Sequence, residues 1–176
     1  MTKRRALLVA VLGVGLVGLA LATVPLIGSL APSAATGRPF LDVALRDIEP
    51  GQFKLVEWQG RPVAVVRTTP EMLKDLRAHT EKTLSHRTLP EEAVPAFVVH
   101  LASPKNCLLK HAPKGSDFFS GREWPGGFYD PCHFGEWDYA GRTLDLVKNL
   151  PKEMQLADLT APKYEILANE TVRLLH

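Results

Sequence analysis

IEPGQFKLVEWQGRPVAVVRTT, residues 48–69, alternates apolar and polar side chains and is rich in β-branched and aromatic residues. That pattern suits strands rather than a helix. Gln59-Gly60 interrupts it, so Phe53–Trp58 and Pro62–Arg67 are predicted to pair as a hairpin. Immediately downstream, Thr69 can cap a helix, Pro70 suits a first turn, and Met72, Leu73 and Leu76 supply one apolar face. This helix is expected to end by about His79.

Working outward, AFVVHLA (Ala96–Ala102) reads as another strand, and Lys163–Leu167 and Thr171–Leu175 as two short closing strands around Asn169-Glu170. Between them, Ser103 to Arg142 reads as loop-rich, with glycines at 115, 121, 126, 127, 135 and 141. Many short strands with a short helix predict a mostly-β domain. No internal repeat is visible.

The chain has 176 residues, net charge +2, 23% charged and 45% hydrophobic residues, which suits one domain plus an extra segment and excludes a disordered tail or a polytopic membrane protein. No basic stripe interleaved with aromatics supports nucleic-acid binding. No Walker loop, GxSxG or dinucleotide fingerprint is present. The extra segment is Ala6–Ala31, which carries no charge. As a helix it would run about 39 Å, enough to cross the roughly 30 Å hydrocarbon core with some tilt. Lys3, Arg4 and Arg5 precede it, so the positive-inside rule places residues 1–5 in the cytoplasm and the remainder outside. A cleaved signal peptide is the alternative, although its apolar region is usually shorter, about 7–15 residues. Arg4-Arg5 also suits twin-arginine export, a weak signal because basic pairs precede many anchors. Residues 32–39 then read as a tether, and 40–176 as one extracytoplasmic domain. In that compartment the only two cysteines, Cys107 in NCLLKH and Cys132 in YDPCHFGEW, are most simply a disulfide.

In this order, the features resemble the Rieske iron–sulfur subunit of cytochrome bc complexes. Ile48–Thr69 is similar to that family's "PGQ…V.W.GKPV.V..RT" segment. Gly126–Arg142 (GGFYDPCHFGEWDYAGR) is similar to its second cluster loop, C-P-C-H-G-S-x-Y/F-D-x-x-G-R. The resemblance covers essentially the whole chain. It implies a Rieske-like β-sandwich with a short helix behind one N-terminal transmembrane helix. It also implies a [2Fe–2S] cofactor, cytochrome b and cytochrome c-type partners, and residence in the cytoplasmic membrane with the domain periplasmic.

Residue by residue, the resemblance breaks at the ligands. The second loop's ligand cysteine, proline, bridge cysteine and ligand histidine read Asp130, Pro131, Cys132 and His133. The first loop, C-T-H-L-G-C in the family, reads Ala102, Ser103, Pro104, Lys105, Asn106 and Cys107. The resemblance therefore implies a Cys107–Cys132 bridge, whose Cα atoms should stand roughly 4.4–6.8 Å apart. The cluster positions fall on Ala102, Pro104, Asp130 and His133. A Rieske centre holds one iron by two thiolates and the other by two imidazoles, and only His133 keeps its donor. The family's Ser and Tyr hydroxyls that bond to the sulfurs fall on Gly135 and Trp137. Its Gly-Pro-x-Pro loop is not recognisable in TLDLVKNLP. A second register, Cys107, His111, Cys132 and His133, matches the donor count but not the C-x-H and C-x-x-H spacing. Outside that register His111 is expected to be solvated. A single metal at Asp130, His133 and His111 is a minor alternative.

Three functions are compatible with these residues. The first is a membrane-anchored Rieske-family subunit of a quinol–cytochrome c oxidoreductase without its cluster, structural or accessory in role. The second is a working [2Fe–2S] carrier from ubiquinol to cytochrome c. The third is a periplasmic binding module. No independent catalytic residue set is seen. The four cluster positions are expected to face one small space, filled by Trp137 or Phe134 or open to water.

Overall fold

The computed structural model describes Arg5, residues 12–13, 39–85, 87–117, 123–144 and 156–176. The expected anchor and tether therefore lie outside the described residues, apart from those few positions. TLDLVKNLP, where the family has its proline-rich loop, lies almost wholly outside them too. No helix among the described residues is long and apolar enough to cross a membrane. By contact density the chain divides into Met1–Gly37 and Arg38–His176.

In the second unit, nine strands among the described residues form three three-stranded antiparallel sheets. The central sheet is β2 (Phe53–Trp58), β3 (Arg61–Arg67) and β4 (Ala96–His100), in that order. The β2–β3 hairpin forms as expected, with Trp58 opposite Arg61. Gln59 and Gly60 take φ of 53° and 71°. Two consecutive positive φ values are what a twist-matched two-residue turn requires. Strand β3 lies between two partners and is buried on both faces. Val63 and Val65 join Ala96 and Val98 in one core, and Ala64 and Val66 join Phe97 and Val99 in the other. This double burial explains why RPVAVVR is nearly continuous in apolar residues.

The first core is closed by β1 (Phe40–Ala44), β8 (Tyr164–Leu167) and β9 (Thr171–Leu175), in the order β1-β9-β8. Val43, Val172 and Leu174 pack onto the valines of the central sheet. The second core takes the helix α1 (Pro70–Ala78) and a third sheet, β5 (Lys110–Ala112), β6 (Gly127–Tyr129) and β7 (Glu136–Asp138). The helix starts as expected: the Thr69 hydroxyl accepts the Met72 amide at 3.1 Å, Pro70 opens the first turn, and Leu73 and Leu76 are buried.

The loop-rich reading of Ser103–Arg142 is corrected by this third sheet. Its strands are three residues each, too short for a period to show. Gly127 permits it: a Cβ there would stand 2.1 Å from the Trp137 carbonyl oxygen. After β7, Asp138 and Arg142 form a fully buried pair, Arg142 Nε donating to Asp138 Oδ2 at 2.7 Å. Arg142 also donates to the Leu76 carbonyl at 2.7 Å, so the D-x-x-G-R motif fastens the helix to the third sheet. Burial pushes the Asp138 carboxyl up, and Arg142 with the Ala140 amide opposes it.

Candidate functional site: two loops joined by a disulfide

The β4–β5 loop (101–109) and the β6–β7 loop (130–135) carry every cluster position. The first closes on itself. The Ser103 amide donates to the Cys107 carbonyl at 2.8 Å, and the Cys107 amide to Ser103 Oγ at 3.1 Å. Asn106 takes φ of 60° to complete the turn, and Ala102 faces Leu108 across an isolated bridge. In the second loop the Asp130 amide donates to Gly135 O at 2.8 Å, and the Phe134 amide to Asp130 O at 2.9 Å. Phe134 takes φ of 61°, at a position where the resembling motif has glycine. A disulfide between Cys107 and Cys132 joins the loops, with Cα atoms 6.3 Å apart, inside the expected range.

Asp130 is the hub. Its side chain is fully buried. Oδ1 accepts the amides of Cys132 at 2.7 Å and His133 at 3.1 Å. Oδ2 lies 3.0 Å from His133 Nδ1, and a carboxylate has no proton to give, so Nδ1 carries it. The Ser103 hydroxyl also bonds the carboxylate, which reaches across to the first loop. Burial would push the Asp130 pKa up. The bonds from His133, Ser103 and the two amides outweigh burial and hold it below the ordinary range.

The four cluster positions thus divide. Asp130 and His133 meet, and bond to each other. Pro104 is exposed and Ala102 half-buried, and the residue between them, Ser103, is the one that meets Asp130. Motif spacing does not single out Ser103. The signal available was Asp130-Pro131, a turn-initiating pair whose carboxylate commonly bonds amides two residues on. The expected filling of the space by Phe134 is corrected. Phe134 is 82% exposed and fills nothing. Trp137 is fully buried, its Nε1 donating to Ala157 O at 3.0 Å. Its indole lies against Gly135, where a Cβ would come within 2.3 Å of the ring. Leu156 Cδ1 would stand 2.4 Å from the same Cβ, so both side chains pack onto the bare glycine.

His111 lies elsewhere, and is not solvated as the sequence suggested. It is half-buried on β5, its ring edge-on to Phe53 with centroids 4.8 Å apart, and its Nε2 stands 2.8 Å from the Tyr139 hydroxyl. Burial lowers its pKa and pushes that of Tyr139 up to about 12, so a neutral imidazole and a protonated phenol share this hydrogen bond. Of the second register's other members, Cys107 and Cys132 have their sulfurs bonded to each other and His133 bonds Asp130.

Tested as a donor set, the residues do not fit a [2Fe–2S] cluster. Ala102 and Pro104 have no donor atom, Asp130 offers oxygen where a thiolate is needed, and bridged sulfurs are not ligands.

A mostly-β domain whose two loops are tied by a disulfide at these positions defines the class, a Rieske-type domain. Comparison with known proteins narrows it. The chain is 31% identical over 186 residues to the ubiquinol-cytochrome c reductase iron-sulfur subunit of Allochromatium vinosum, covering 97% of this chain and 86% of that one. The Blastochloris viridis protein of the same name is 29% identical, over 98% and 92% of the two chains. The chain belongs to the family of ubiquinol–cytochrome c reductase iron–sulfur subunits. A chain of the solved "Hyperthermophilic respiratory Complex III" aligns over 93% of this chain and 97% of its own, at TM-score 0.46 and 16% identity. No family model matches the sequence.

Proposed function

We propose that this chain is a membrane-anchored Rieske-family subunit of a respiratory quinol–cytochrome c oxidoreductase that works without a [2Fe–2S] cluster, in a structural or accessory role. One observation carries the reading: of the residues that the resemblance puts at the four ligand positions, Ala102, Pro104, Asp130 and His133, two have no donor atom and the last two bond to each other. The relatives' name, a subunit of ubiquinol–cytochrome c reductase, supports cytochrome b and cytochrome c-type subunits as partners. The uncharged Ala6–Ala31 behind Lys3-Arg4-Arg5 supports a single crossing of the cytoplasmic membrane with the domain outside.

The second reading, an active electron carrier, draws on the 31% identity over nearly the whole chain. Iron and acid-labile sulfide assays with an EPR spectrum of the purified full chain separate the two. The expected protein is colourless, free of stoichiometric iron and sulfide, and lacks a Rieske signal, while copurifying with haem-containing subunits. Stoichiometric iron with that signal would overturn the cluster-free reading and restore the carrier.

A further inference from the structure

The tips of the two loops gather sulfur and oxygen in one place. Cys107 Sγ, Cys132 Sγ and a carboxylate oxygen of Asp130 all lie within 4.8 Å of one another. Asp130 Oδ2 is in turn 3.0 Å from His133 Nδ1. While the sulfurs are bonded together neither can ligate, because metals take the thiolate. We propose that reduction of the Cys107–Cys132 bond converts this cluster into a mononuclear site for a thiolate-seeking divalent cation of the zinc class. Cys107, Cys132 and Asp130 are the donors, and water completes the coordination.

The step balances. A dithiol supplies two electrons and two protons; the sulfur–sulfur bond breaks, two thiols form, and the dithiol leaves as its own disulfide. The cation then displaces both thiol protons to solvent, so its affinity rises with pH. The donor types select the ion. Two thiolates with a carboxylate suit zinc, whereas calcium and magnesium take oxygen donors.

His133 stays outside the donor set, its Nδ1 hydrogen-bonded to Asp130 Oδ2 at 3.0 Å. Asp130 Oδ1 meanwhile keeps the Cys132 and His133 amides, which aim the carboxylate before any metal arrives. Cys132 and His133 are exposed, so the ion has an entry path. This site shares only Asp130 with the cluster positions. It uses the two bridge sulfurs, needs no inorganic sulfide, and involves neither Ala102 nor Pro104.

The test uses the detergent-solubilised full chain, reduced with a water-soluble phosphine and desalted without oxygen, then titrated with Co²⁺. The reduced chain should bind one equivalent, with a thiolate-to-cobalt charge-transfer band and the intense visible bands of tetrahedral cobalt, both abolished by Zn²⁺. The oxidised chain should show neither. Cys132→Ser should lose most of the charge-transfer intensity, and Asp130→Asn should weaken cobalt binding by about tenfold or more. Absence of the band in the reduced chain would refute the site, as would unchanged affinity in Asp130→Asn or equal binding by oxidised protein. Circular dichroism before and after cobalt guards against loss of the fold. A reduced chain that unfolds and is not refolded by the metal also refutes it.

Discussion

Asp130 shows what one residue does to a loop pair. At this position the family motif has a ligand cysteine, whose thiolate would bond a metal and leave the surrounding amides to other partners. A carboxylate instead turns inward and collects donors from both loops: the amides of Cys132 and His133, the His133 ring and the Ser103 hydroxyl. The loops are thereby joined by hydrogen bonds as well as by the disulfide. The bridge closes a loop of about 26 residues, worth about 3.5 kcal/mol by the chain-entropy estimate. Asp130→Ala strands these donors in a covered site, where each unmet group costs about 1–3 kcal/mol. We expect the oxidised Asp130→Ala chain to lose about 1–3 kcal/mol in urea unfolding, and Asp130→Asn, which keeps one acceptor oxygen, to lose less. Equal stability of Asp130→Ala and wild type would mean that the carboxylate ties nothing together.

At the scale of elements, the sequence was legible where a run was long enough to show its period. The hairpin, the capped helix, β4 and the two closing strands all stand within two residues of the boundaries read from patterning. Strand β1 and the third sheet were not legible. The third sheet's strands are three residues each, while β1, as long as β4 and β9, takes its strand character from a distant partner, β9. The site divides in the same way. The missing donors at 102, 104 and 130 could be read from side-chain chemistry alone, but the Ser103–Asp130 bond exists only because two separate loops meet. His111 is a third case. KHAPKG reads as solvated, yet β5 pairing with β6 places the ring opposite Phe128 and against Tyr139. Its consequence is measurable. Burial holds the folded His111 pKa below its usual 6.5, so the unfolded chain takes the proton first. Its contribution is complete above that value and is lost as pH falls through it. Melting temperature should therefore drop between pH 7 and 5, with a shallower slope in His111→Gln, which can still accept from Tyr139. His100, also lowered by burial and by Arg61, supplies part of the remainder. An identical slope in His111→Gln would place the effect elsewhere.

For the whole molecule, the question is how the domain is held where it works. The domain itself begins firmly. Asp42 on β1 takes two bonds from Arg173 on β9, at 2.7 and 2.8 Å, and the Arg173 guanidinium lies 4.4 Å from the Phe40 ring centre. The chain entering from residue 39 is thus fastened within its first strand to the C-terminal one. The pair is exposed, so its own stabilisation is small, but it fixes β1 in register. The segment before it carries 26 uncharged residues, from Ala6 to Ala31. A helix of about 39 Å would exceed the roughly 30 Å core it would cross, and the cytoplasmic bias of Lys3, Arg4 and Arg5 would set its direction. The chain should accordingly stay with membranes through an alkaline carbonate wash. In spheroplasts, protease added outside should reach the domain, while a tag before Met1 should be protected. Recovery of a soluble chain beginning near Ala35 would show that the segment is a cleaved signal. The domain would then have to hold its partners through its own surface alone.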